Sequence, residues 1–119
     1  MLTFSHRQVY ENFVKVLVAL SKAMTNPDIS KTSWQGSFAQ VQLTFEEEII
    51  VLAVTELEGM ELSRWQSLQT EIHRTMRLLQ TEVMRWQTSR QEGTEQLRKD
   101  AVRDRVNQLI AYCQALLSL

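Results

Sequence analysis

The sequence predicts an all-α fold: an antiparallel four-helix bundle with a long central helix, spanning about 62–92, and a projecting helical hairpin tip. Three observations lead there. From Leu62 to Trp86 the apolar residues Leu62, Trp65, Leu68, Ile72, Met76, Leu79, Val83 and Trp86 recur at intervals of three and four, which places them on one face of an α-helix. Three further stretches show helical periods of their own. One proline and three glycines in 119 residues leave too few turn formers for a β fold. This length suits a single domain, residues 1–119, with an adequate core.

The first helix is expected over 6–24, after Ser5 as N-cap and before the stop signal Asn26-Pro27-Asp28. Val9, Phe13, Val16, Leu17, Leu20 and Met24 form its main face. Tyr10, Val14 and Val18 widen that face to half the circumference, broader than an outer amphipathic helix usually shows. After a polar linker, a second helix over 34–56 carries Trp34, Phe38, Val41, Phe45, Ile49 and Leu52 on one face. Leu43, Ile50, Val54 and Leu57 lie on the opposite face. The run Ile49–Val54 is β-branched enough for a buried strand. The helical period continues through it, however, and no second strand is available to pair with it.

Gly59 breaks the chain before the third helix. That helix loses its apolar period after Trp86, and Gly93 marks a turn or a kink. A fourth helix over 94–117 has its apolar face only from Val102 onward, through Val106, Leu109, Ile110, Cys113, Leu116 and Leu117. Folded as a hairpin about Gly93, the polar ends of helices three and four extend past the core by about 10–15 Å, at 1.5 Å per residue.

The net charge of −1 offers no long-range attraction for nucleic acid. The first half leans acidic and the second basic, which suits packing of one half on the other or head-to-tail contact between copies. Cys113 is the single cysteine, expected as a buried, inert thiol. The apolar run Phe13–Leu20 is interrupted by Lys15 and is too short to span a membrane, and no small-residue cleavage site follows it. The expected setting is therefore cytoplasmic, with no integral membrane segment.

No catalytic constellation emerges. His6 and His73 stand outside any Glu-x-x-His or His-Glu-x-x-His pattern, and there is neither a nucleophile elbow nor a phosphate-cradling glycine loop. No metal ligand set, cofactor site or enzymatic activity is expected. A small helical enzyme or ligand-binding bundle, with a pocket between helices, is the alternative. Trp34 and Trp86, at the ends of their stripes, read as core aromatics before binding anchors.

The surplus of apolar residues is more informative. Each helix of a four-helix bundle hides one broad stripe. Either helix two lies centrally in an uneven bundle, or Tyr10, Val14, Val18, Leu43, Ile50, Val54 and Leu57 meet another chain, a protein partner or a second copy in a homodimer.

The words Trp65-Gln66-Ser67-Leu68-Gln69-Thr70-Glu71-Ile72-His73-Arg74, Leu78-Leu79-Gln80-Thr81-Glu82-Val83-Met84 and Ile110-Ala111-Tyr112-Cys113-Gln114-Ala115-Leu116-Leu117 resemble the PatD-type proteins of filamentous cyanobacteria. These proteins are linked to heterocyst frequency and to the tubulin-like division protein FtsZ. The resemblance implies a non-enzymatic regulator that acts by contact with a cytoskeletal filament protein. It assigns no role to particular residues.

Overall fold

Residues 4–25, 34–52, 59–88 and 92–119 are described in a computed structural model of the chain. They form four helices and no strands. The helices are α1 (Phe4–Thr25), α2 (Gln35–Thr44) continued by a π-helical segment (Phe45–Ile49), α3 (Gly59–Gln87) and α4 (Glu92–Leu117). They make an antiparallel bundle of 50 × 20 × 19 Å.

The buried residues explain this packing. In α1 they are Tyr10, Phe13, Leu17, Leu20 and Met24; in α4, Val102, Val106, Leu109, Cys113 and Leu116. In α3 the seam runs Trp65, Gln69, Ile72, Met76, Leu79, Val83 and Trp86. Every gap is three or four in strict alternation. That is the 3.5-residue spacing that keeps one face of each helix on its neighbours in a left-handed bundle. Gln69, not Leu68, holds the position between Trp65 and Ile72.

The second helix breaks the alternation once. Its buried residues Trp34, Phe38, Val41, Phe45 and Ile49 have gaps of four, three, four and four. Strict spacing would place Glu48 in the core. The π-helical turn at Phe45–Ile49 takes up the extra residue and brings Ile49 inward instead, while Glu48 stays partly exposed. The continuous α-helix expected over 34–56 therefore gives way at Phe45, and Leu52 is the last described residue of that segment.

Two other boundaries move. The central helix runs Gly59–Gln87 and not 62–92, opening on Gly59 at φ +60°, a left-handed conformation that suits glycine alone. Gly93 is neither turn nor kink: it lies in the first turn of α4, which begins at Glu92. Ser5 is also already inside α1. The hairpin tip is present. Among the described side chains between Trp86 and Val102 no apolar group is buried, and Leu97 is 71% exposed.

The order of packing leaves the bundle unequal on its four sides. α3 lies along α4, α4 along α1, and α1 along α2. The Arg7 guanidinium donates to the Leu117 carbonyl at 2.7 Å, tying the start of α1 to the last turn of α4, where the helix dipole favours a cation. α2 and α3 complete the ring only through side chains: among the described residues no Cα of one comes within 8 Å of a Cα of the other.

Candidate functional site

The open side between α2 and α3 is a groove, and its centre is held by a buried polar chain. The Trp65 indole N–H donates to the Tyr10 hydroxyl at 2.9 Å, so the Tyr10 proton must go to Gln69 Oε1, 2.8 Å away. Gln69 Nε2 donates to the Ile49 carbonyl at 3.1 Å and lies 3.3 Å from His73 Nε2. The amide orientation follows from the Ile49 carbonyl, which can only accept. His73 Nε2 must then be the acceptor as well, which puts the imidazole proton on Nδ1. Five groups from α1, the π-helical segment and α3 are thus linked in one direction of hydrogen bonding, ending on His73. The π-helical turn contributes through the Ile49 carbonyl, used here by a side chain.

The protonation chemistry agrees with this arrangement. Burial lowers the His73 pKa, and the nearby Arg77 charge lowers it further. Burial raises the Tyr10 phenol, partly opposed by the bond from Trp65. The Cys113 thiol, wholly buried, is pushed up to about 12 by desolvation, so it stays protonated at neutral pH.

From this centre the groove extends between two helical stripes. One wall is formed by Gln35, Ala39 and Gln42 of α2 with Glu46 and Ile50 of its continuation, and the α3 wall by His73, Arg77, Gln80, Met84 and Gln87. Each wall residue is the one that follows a seam residue, so both stripes share the seam's spacing. Phe38, Phe45 and Val83 form the floor, with the Phe45 ring edge-on to His73 at 5.2 Å. Met84 is 64% exposed on one wall and Ile50 49% on the other. Glu46 and Arg77 lie on opposite walls at one level, and among the described residues neither belongs to an ion pair. Beyond His73 the groove continues past Gln66 and Thr70 to the edge of Trp65.

At its other end the groove abuts Trp34 and Trp86, stacked at 4.4 Å and 11°. Both indoles are core residues, as expected of stripe ends that close against each other. Their Nε1 groups, with Glu82 Oε2, are buried without a hydrogen-bond partner among the described residues. The ring surface they hide outweighs this polar loss, since a buried aromatic removes 150–250 Å² from water, an order-of-magnitude figure of about that size.

The seven residues expected at an interface fare differently. Tyr10 is a correction: it is fully buried and spends its hydroxyl inside the core, so it offers nothing to another chain. Val14 and Val18 are half-buried on α1, Val14 against the core. Leu43, at 45%, and Ile50 are exposed on α2, and Ile50 lines the groove. Val54 and Leu57 lie outside the described residues. Sequence reasoning missed the whole α3 wall. Its signal is a polar stripe one residue behind the seam at the same spacing, visible only once the seam is drawn through Gln69.

Among the described residues no group of His, Cys, Asp or Glu is placed to hold a metal ion, and no described helix is long and apolar enough to cross a membrane. No family model, curated protein or solved structure matches the chain.

Proposed function

We propose that this chain is a non-enzymatic helical regulator that works in the cytoplasm by protein–protein contact, self-associates as a homodimer, and modulates assembly of FtsZ and with it heterocyst differentiation. The observation that carries the contact reading is the open α2–α3 side, where two helices with matched stripes are left without a neighbour. Ile50 and Met84 reach solvent from its walls. A groove between two helices accepts a third amphipathic helix or the equivalent face of another chain. Choice of FtsZ as partner rests on the resemblance of the Trp65–Arg74, Leu78–Met84 and Ile110–Leu117 words alone.

Co-sedimentation tests the reading. Preformed FtsZ filaments are pelleted with the chain and with the Ile50→Glu/Met84→Glu variant, whose replaced side chains are exposed. The parent chain is expected to enrich in the pellet and to change the pelleted mass of FtsZ, and the variant to do neither. A parent chain left wholly in the supernatant rejects FtsZ as the partner. Equal pelleting of parent and variant rejects the groove.

A further inference from the structure

The two walls of the groove are complementary to each other, and this identifies what can cover them. Residues ascending α2 face residues descending α3: Gln35 with Gln87, Ala39 with Met84, Gln42 with Gln80, Glu46 with Arg77, and Ile50 with His73. In four of these five pairs amide stands against amide, a small residue against a large one, or acid against base; the fifth sets an aliphatic side chain against an imidazole. Within one chain these partners stand on separated helices. Between two chains they can meet.

The geometry points to a second copy of this chain as the occupant of the groove, seated face to face about a two-fold axis parallel to the helices, so that each α2 lies along the partner's α3. This deepens the homodimer part of the proposed function by naming its surface and symmetry. An axis in that direction exchanges the walls. It places Glu46 on the partner's Arg77, and Arg77 on the partner's Glu46, in one operation. A two-fold axis across the helices at the level of Glu46 and Arg77 instead sets Glu46 on the partner's Glu46 and Arg77 on the partner's Arg77, which like-charge repulsion disfavours. The parallel axis is therefore the face-to-face arrangement that pairs both charges with opposite ones. In it Ile50 covers the partner's His73 and Met84 the partner's Ala39, removing the two exposed apolar wall residues from water.

The size of the face sets the strength. About 15 residues along α2 at 1.5 Å each, across two helices about 10 Å wide, give a footprint of roughly 450 Å² per copy. The total of about 900 Å² is at the low end for a specific interface, so the dimer is a concentration-dependent one.

Sedimentation equilibrium from low micromolar to several hundred micromolar, with charge-reversed chains, tests the arrangement. Glu46 and Arg77 are both exposed, so reversal leaves the bundle folded, which far-UV circular dichroism verifies. The parent is expected to pass from monomer to dimer across this range. Glu46→Arg alone and Arg77→Glu alone each create two like-charge contacts per dimer and should weaken association about a hundredfold or more. An equimolar mixture of the two single variants restores opposite charges at both contacts, as does Glu46→Arg/Arg77→Glu in one chain, and both should dimerise again. A parent that stays monomeric throughout, or single variants that dimerise as the parent does, overturns the inference. So does a rescue that fails in folded variants. FtsZ pelleting that depends on Ile50 and Met84 in a strictly monomeric chain would leave the contact reading standing and assign the groove to that partner instead.

Discussion

Replacing Tyr10 by Phe removes one oxygen atom and tests whether the buried polar chain holds the bundle together. The substitution keeps the ring in place but strands two groups: the Trp65 indole N–H loses its acceptor and Gln69 Oε1 loses its donor. Trp65 and Gln69 are both more than nine-tenths buried, so water compensates little. Each stranded group costs about 1–3 kcal/mol, which makes about 4 kcal/mol a central expectation for the pair. For 119 residues the unfolding entropy is about 0.25 kcal/mol per degree, and the melting temperature should fall by about 16 °C. Urea denaturation at low micromolar concentration reads the free energy directly.

A double-mutant cycle with Gln69→Met isolates the coupling. Gln69→Met alone strands the Tyr10 proton, while the Ile49 carbonyl keeps the Leu52 N–H as donor at 3.2 Å. The double variant strands only the Trp65 N–H, because two of the mismatched groups have been removed together. The double loss should therefore be smaller than the sum of the single losses by about 2–6 kcal/mol. Additivity within about 0.5 kcal/mol, or a Tyr10→Phe variant as stable as the parent, would refute the directional chain from Trp65 to His73.

Two further predictions follow from the same region. His73 has a folded-state pKa below its unfolded value of about 6.5, so the folded chain binds fewer protons than the unfolded one in that window. Stability should be level above that pH and fall as pH drops below it through the lowered folded pKa; His73→Gln should flatten the decline, as measured by urea midpoints between pH 5 and pH 8. Deleting Glu48 removes the surplus residue in the second helix and returns its seam to gaps of four, three, four and three. Helix content and cooperative melting should survive, because the deletion converts a π-helical turn to an α-helical one; a non-cooperative melt would contradict the one-residue account of that turn.

What could be read without coordinates was what periodicity controls. The helical class, the α1 and α4 faces, and the closure of Trp34 and Trp86 into the core all follow from apolar residues at intervals of three and four. The α3 seam was misdrawn at one place because Gln69 is polar. An amide on a core face reads as a gap, and Leu68 beside it takes its place. Only Tyr10 and Trp65 on the same level explain why a glutamine belongs there, and Tyr10 is 59 residues away in the chain. The π-helical turn had a visible sign, the extra residue between Phe45 and Ile49, which an α-helical template absorbs as a wider apolar face. The interface is suggested separately, by Leu43, Ile50, Val54 and Leu57 on the opposite face of that helix and by the breadth of α1. Leu43 and Ile50 are indeed exposed, but the breadth of α1 at Tyr10 reflected core packing.

The groove itself was illegible for a different reason. Gln80, Met84 and Gln87 form a stripe of the kind a solvated helix face carries. Whether such a stripe meets bulk water or a facing helix depends on how far apart α2 and α3 are held, which is a property of the whole ring of helices. The composition of that stripe bears on the kind of contact it supports. Were 450 Å² paved with leucine, burial at about 25 cal/mol per Å² would contribute roughly 11 kcal/mol gross per copy, and the chain would aggregate before meeting a partner. Glutamine amides exchange water for one another at little net gain. Recognition then rests on Ile50, Met84 and the Glu46–Arg77 charges, few enough for a contact that forms and dissolves with concentration.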